Sequence, residues 1–463
     1  MPEVNVLLEF DAPQEHGFRE FSAALESASE AESQATSLMD RVAGLGLELQ
    51  EILPIPMFTA PQEQSPAREL AGFATTETSP DVAAPTIVVA VQADRGRLED
   101  LSAREDVRVW PNSDLTLFRE WGLSEADVAD SPPRAEAPDP AAGEIDCRPF
   151  KPGASVDEIR DLLGVQDLWD GGFKGKDVKV AIIDEGVNGD TYPVTGGLKG
   201  QVGSQPGAAP ITSHGSMCAA DVLIAAPEAE IYDYPFLGPT NSGDALAMFQ
   251  AVLEQRRLDG TPHITNNSYG FTGVPDQSEA PDHEIWDLAH PLHRKVREVI
   301  TSGAATFFAA GNCGSDCPSG ACHQSGIGSG RSIHASNSLV EVITIAAVNS
   351  AHKRIGYSSQ GPGMFEREKP DLAAYSHIFG NFGPGRPGGT EQPFDNGTSA
   401  ATPVASGVAA LLLSAFPDLT PERLREALVR GASSTADGDW GPDFGRGVIN
   451  AAGARGAVGQ QTG

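Results

Sequence analysis

Apolar residues along this chain follow two different rhythms. Up to about residue 118, the runs VNVLLEF, LELQEILPIP, TIVVAVQAD and VRVWPNSDLTLF read as strands. Stretches near Glu30–Leu45 and Gly96–Ala103 read as helices between them. The order is β-α-β-β-α-β, which predicts a small α+β domain over residues 1–118. Residues 119–150 are rich in Pro, Ala, Asp and Glu and read as a linker. From residue 151 the strands become short and wholly apolar: VKVAIID, AEIYDYPFL, HITNNSYG, ATFFAAGN and VITIAAVNS. Helical stretches such as Ala245–Leu258 and Glu284–Thr301 lie between them. This alternation predicts an α/β domain over 151–455, a mostly parallel sheet with helices on both faces, followed by a flexible tail at 456–463.

Function in such sheets gathers at the carboxyl ends of strands. VKVAIID ends in Asp184, and ATFFAAGN ends in Asn312. His214 opens the apolar helix pattern of ITSHGSMCAADVLIAA, and Ser399 opens the one in DNGTSAATPVASGVAALLLSAF. Each residue alone is ordinary for a turn or a helix start. Together they form a chemical set. A serine hydroxyl needs a base to take its proton, and the imidazole of His214 titrates near neutrality. The Asp184 carboxylate can hold that ring in one tautomer. The Asn312 amide and the Ser399 backbone N–H can donate to an oxyanion at a helix start. Gly397 permits a tight turn with no Cβ in the way. Pro403 is expected near the first turn, where a missing N–H costs little. Ala400, Ala401, Ala405, Gly407 and Ala409 allow close packing.

Composition narrows the partners. The chain has 463 residues, 40% of them hydrophobic, and a formal net charge of −32. Such acidity disfavours nucleic acid and anionic membrane surfaces. The N-terminal residues show no basic segment followed by an apolar core, so no signal peptide is visible and a cytoplasmic location is expected, with secretion by another route left open. No membrane span is expected. Of the five cysteines, Cys313, Cys317 and Cys322 cluster beside His323, with Cys147 and Cys218 apart. Their spacing does not match zinc knuckles, and the reading is reduced thiols or one local disulfide. His290 and His293 lie three apart, but Pro291 disrupts that face, so no metal site is assigned.

The blocks AIIDEG, HGSMCA, AAGN and GTSAATP, in that order, resemble the signature blocks of the subtilisin-like serine proteases, the subtilases. DFGRGVINAAGA resembles that family's closing segment, and the likeness runs over roughly residues 150–455. The resemblance implies a subtilisin-like three-layer fold preceded by a ferredoxin-like domain. It implies a serine endopeptidase with Ser399 as nucleophile, His214 as base, Asp184 as its orienter and Asn312 as oxyanion donor. Ser268, Tyr269 and Gly270 would line the specificity cleft, with Ala309, Ala310 and Gly311 as its other wall. The partner is an extended peptide or protein substrate added as a strand. The first domain resembles an inhibitory, chaperone-like propeptide acting on its own enzyme, with self-cleavage expected between about Phe118 and Pro152. No cofactor is required. Structural calcium is frequent in the family, yet no D-x-D-x-D-G loop locates a site.

Departures from the family pattern stand beside the match. Glu185 replaces a small residue, and its carboxylate is expected either to oppose the charge of Asp184 or to face solvent. Met217 stands where a second His is frequent. Cys218 lies one helical turn after His214, either a buried small hydrophobe or a thiol open to mercurials. Inserted segments such as SGIGSGRSI and GNFGPGRPGG are expected to shape the cleft rim. Three other readings stand beside this one: a processing or transacylating enzyme for one dedicated partner, which would share every catalytic residue, a serine-carboxyl protease, and a non-catalytic peptide-binding module. His214 and Asn312 argue against the second, since that branch carries Glu and Asp at these positions. The intact set of four argues against the third.

Overall fold

The computed structural model describes residues 3–11, 42, 45, 47–49, 55–57, 86–118, 145–147, 154–198, 205–236, 240–379, 381, 394–433 and 439–461. The first helix expected near Glu30–Leu45, nearly all of the linker, and most of GNFGPGRPGG lie outside them.

The N-terminal part is an antiparallel sheet. Its strands are β1 (Glu3–Asp11), β2 (Glu48–Leu49), β3 (Ile55–Met57), β4 (Thr86–Asp94) and β5 (Val107–Pro111). The order is β2-β4-β1-β5, with β3 also on β4. Helix α1 (Arg95–Ser102) links β4 to β5 and is capped by the Asp94 carboxylate, which accepts from the Arg97 N–H. Strand alternation sorts the side chains. Val6, Leu8, Phe10, Val89 and Val91 pack with Leu101 and Val107 in the domain's own core. Leu7, Val88, Ala90, Ile55 and Met57 point the other way and join a core shared with the larger part of the chain.

That larger part is built on seven parallel strands: β7 (Lys179–Asp184), β8 (Val194–Gly197), β9 (Glu230–Pro235), β10 (Ile264–Asn267), β12 (Ala305–Ala309), β13 (Ile343–Val348) and β14 (Leu372–Tyr375). Their order is β14-β13-β12-β10-β7-β9-β8. A short strand, β11 (Tyr269–Gly270), follows β10 outside the sheet. On one face, Val180, Ile182, Phe307 and Ile345 pack against α2 (His214–Ala225) and α5 (Thr398–Ala415). On the other, Ala181, Ile183 and Phe308 pack against α3 (Ser242–Asp259) and α4 (Pro291–Thr301). Helix α5 is long and apolar enough to cross a membrane, but 89% of it is buried, so it serves as a core helix.

Three expectations change here, the first being that the stretch from 456, expected as a flexible tail, continues the helix Ala451–Gln461 as far as Gln461. The helix expected from Glu284 begins at Pro291, whose missing N–H suits the first helical position, with His290 as its cap. The cysteines form two disulfides rather than at most one local pair: Cys313–Cys322 closes a short ring, and Cys147–Cys317 joins positions 170 apart. The local pair falls within the cluster seen in the sequence; the distant one depends on tertiary folding alone. Cys218 is free and buried.

The N-terminal sheet is fastened to α4 by buried polar bonds. Arg294 Nη1 lies 2.7 Å from Glu9 Oε1, and the Trp110 indole donates to Glu9 Oε2 at 2.8 Å. The Lys295 ammonium donates to the Pro56 carbonyl at 2.6 Å and to Gln250 at 2.8 Å. Burial lowers the Lys295 pKa to about 8, even with Glu298 beside it. A buried charge without its counter-ion is costly, so Arg294→Ala, which leaves Glu9 with neutral donors only, should cost about 3–5 kcal/mol. Denaturant unfolding of the full chain measures this. An unchanged midpoint would mean that the pair is not buried as described.

Candidate active site

The four residues singled out from the sequence come together at the carboxyl edge of the sheet. Asp184 ends β7 and is buried. His214 is the first residue of α2, and its Nδ1 stands 2.9 Å from both carboxylate oxygens of Asp184. The ring position follows from the cap: Ser213 Oγ accepts from the Ser216 N–H at 3.1 Å and donates to the Gly186 carbonyl at 2.7 Å. His214 Nε2 is buried and has no protein partner.

Glu185 has a partner that the sequence did not suggest. Its carboxylate accepts from the His214 backbone N–H. An anion there satisfies an orphan donor and meets the positive end of the α2 dipole. Cys218 lies inside: its thiol contacts the Ser399 carbonyl at 3.6 Å and Asp184 at 3.9 Å. Burial, followed by the charge of Asp184, pushes its pKa well above the usual thiol range. Asp184, His214 and Cys218 are the group among the described residues with metal-ligand proximity. A thiol and an imidazole are the wrong donors for calcium, so this group does not locate the calcium implied by the resemblance.

Ser399 is the second residue of α5, entered through Gly397 at φ +80°. The start of α5 is satisfied from two sides. The Tyr357 hydroxyl accepts from the Gly397 N–H at 2.8 Å, and Asn312 Oδ1 accepts from both the N–H and the hydroxyl of Thr398 at 2.9 Å. Pro403 falls in the second turn rather than the first. The Ser399 carbonyl that its N–H would have met instead accepts from Ser268 Oγ at 3.4 Å.

The site is occupied by the chain itself. Strand β6 (Thr116–Leu117) pairs antiparallel with β11. On its far side, Asp114 bridges to Asn241, and the Leu115 N–H donates to the Thr240 carbonyl at 2.8 Å. The Phe118 N–H donates to the Ser268 carbonyl at 3.0 Å. The Phe118 carbonyl accepts from Asn312 Nδ2 and from Ser399 Oγ, each at 2.8 Å. The expected second donor, the Ser399 N–H, makes no such bond; the hydroxyl takes that place. A Cβ on Gly397 would stand 2.6 Å from this carbonyl oxygen, so glycine is required.

Sequence reasoning named Ser268, Tyr269, Gly270, Ala309, Ala310 and Gly311 as cleft walls, and the first three carry the pairing strand. Gly311 also stands against the Phe118 ring, whose Cζ would be 3.4 Å from a Cβ there and 2.7 Å from one on Gly270. The second backbone edge is Thr240–Asn241, which no motif marked. Sequence reasoning also missed Glu284. It accepts from the Ser113 N–H at 3.0 Å and from Ser242 Oγ at 2.7 Å, seating the approach to β6. Burial pushes the Glu284 pKa up, but His290, His283 and these hydrogen bonds bring it down to about 2. Among the inserted segments, SGIGSGRSI borders the site: the Gly328 N–H donates to the Cys313 carbonyl at 2.8 Å.

A parallel α/β sheet with Asp, His, Asn and Ser converging at its carboxyl edge defines the class. Residues 175–448 match the model of the subtilase family, and the chain belongs to that family. It is 29% identical over 315 residues to the serine protease AprX of Bacillus subtilis and 28% identical over 291 residues to subtilisin E of the same species. Each match covers 60% of this chain but 66% of the relative, just under two thirds of its length. Subtilisin DY of Bacillus licheniformis is 30% identical over 291 residues, covering 60% of this chain and 91% of the relative. The fold is similar to fervidolysin of Fervidobacterium pennivorans, with a TM-score of 0.58 and 16% identity, over 98% of this chain and 61% of that one.

Glu185→Ala removes the carboxylate from the α2 start and should cost about 1 kcal/mol of stability. Thermal unfolding of the variant measures it; a midpoint equal to the parent's would show that the cap contributes nothing.

Proposed function

We propose that the chain is a serine endopeptidase made as a zymogen, and that it cuts itself between Phe118 and Arg119. The observation carrying this reading is the Phe118 carbonyl, held between Ser399 Oγ and Asn312 Nδ2 at the end of an added strand. The names of the relatives support a peptidase. The N-terminal sheet then acts as an inhibitor covalently joined to its own enzyme, with β6 filling the cleft in the manner of a substrate.

The chemistry follows from the geometry. Ser399 Oγ turns from the carbonyl oxygen toward His214 Nε2, which is free to accept a proton. Oγ adds to the carbonyl carbon, the proton passes to Nε2, and the carbonyl electron pair moves onto oxygen. Asn312 Nδ2 donates to the resulting oxyanion, its amide fixed by Thr398. Asp184 holds the imidazolium through Nδ1. Collapse expels the amine, which takes the proton from His214 and leaves an acyl-Ser399. Water repeats the sequence, releasing the acid and restoring the serine. Side chains supply every proton and charge that this route needs, without a cofactor. The fit of Phe118 between Gly270 and Gly311 supports a large apolar residue before the cut. The two disulfides support folding in an oxidising compartment, against the cytoplasmic location expected from the N-terminal residues.

Mass spectrometry of the purified protein should find a new N-terminus at Arg119, absent in Ser399→Ala, which should also resist fluorophosphonate labelling. Labelling of that variant, or the same cut in it, removes Ser399 as nucleophile. Asn312→Ala should lower kcat by about 10²–10³ with a smaller change in KM. Unaltered turnover would take Asn312 out of the oxyanion site.

A further inference from the structure

We propose that Asn337 sets the width of the pocket that receives the side chain before the scissile bond, and with it the preference for a large apolar residue there. The inference rests on the endopeptidase reading and goes beyond it by assigning a positioning residue.

The parallel strands β10 and β12 stay in register as far as Asn267 and Phe308. Beyond that pair they part, and the Phe118 ring lies near the opening, against Gly270 and Gly311. Parting leaves two backbone carbonyls, Tyr269 O and Ala309 O, without a ladder partner inside the protein. One nitrogen serves both: Asn337 Nδ2 donates to Tyr269 O and to Ala309 O, each at 2.8 Å. A carboxamide nitrogen carries two hydrogens at a fixed angle, so the bridge holds the two walls a set distance apart. Unmade, it would leave buried carbonyls unsatisfied.

Asn337 lies directly behind the pocket. A Cβ on Gly270 would be 3.0 Å from its amide on one side and 2.7 Å from Phe118 Cζ on the other. The residue is itself held. Thr344 Oγ1, on β13, donates to its backbone carbonyl at 2.7 Å. Its neighbour Ser336 is hydrogen-bonded to His293 Nδ1 at 2.8 Å, and Ser338 Oγ donates to the Ala335 carbonyl at 2.9 Å. The bridge is therefore anchored to β13 through Thr344 and to α4 through Ser336 and His293.

The test compares peptide substrates identical except for Phe or Ala before the cut, using processed enzyme whose active sites are titrated with a fluorophosphonate. Asn337→Asp keeps the shape but loses the donors. It should lower the Phe-to-Ala ratio of kcat/KM about 10-fold, mainly through KM for the Phe substrate. Fluorophosphonate labelling should stay within about twofold, which a general loss of structure would not allow, and the Ala substrate should lose less than the Phe substrate. Thr344→Val, nearly isosteric, removes the hydroxyl that seats Asn337 and should move the ratio the same way by about threefold. It decides the matter if Asn337→Asp does not fold. An active wild type with an unmoved ratio in the variants overturns this proposal alone. A wild type that neither labels nor cleaves overturns the endopeptidase reading and this one with it.

Discussion

A helix that starts in a dry interior must find partners for its first N–H groups, and in this molecule Asn312 supplies one. By accepting from Thr398 through Oδ1, it secures the start of α5 and turns its own NH2 outward. One end of the amide thus serves the helix start and the other holds the Phe118 carbonyl. The position of Ser399 follows, since it is the next residue of the same helix. The tight approach of Gly397 follows too, since the space outside it must admit a carbonyl. Even the carbonyl released by Pro403 is absorbed, through Ser268, into the cleft wall.

The second organising feature is backbone pairing. Parallel strands supply rigid ends, and the site lies where those ends stop pairing with one another. Strand β6 enters that gap between Tyr269–Gly270 and Asn241, with its hydrogen bonds made on both sides. The N-terminal sheet can deliver β6 there because alternate residues of β1 and β4 present one apolar face to its own helix and another to α3 and α4. Buried polar contacts through Glu9, Arg294 and Lys295 fix the orientation that apolar contact alone would leave free.

Much of this was legible in the residues. The apolar runs VKVAIID and VITIAAVNS announce buried parallel strands, and the strand and helix runs of the first 118 residues announce a small α+β domain, though not its antiparallel pairing. Asp184, His214, Asn312 and Ser399 were readable because Asp184 ends a strand, Asn312 follows one by three residues, His214 and Ser399 fall at helix starts, and short blocks around them resemble a known family. Asn337, Thr240 and Glu284 were not. Each acts through a position reached only by tertiary folding, and each is a common residue in an unremarkable stretch. The fate of Glu185 was equally hidden, because whether a carboxylate repels its neighbour or caps a helix depends on where one side chain turns. The Cys147–Cys317 bond belongs with these, since no local pattern brings the two together.

That distant bond bears on what a cut after Phe118 would leave behind. Asp146 lies beside it, its carbonyl accepting from the Gly356 N–H at 2.7 Å and its carboxylate accepting from Asn349 at 3.0 Å. Cys147 falls on the enzyme side of the cut. The freed sheet could therefore diffuse away while the stretch that once joined it stays riveted to the surface. Further trimming between Cys147 and Ala154 would not release that stretch either. The finished molecule would then be two polypeptides held as one by a single pair of sulfur atoms.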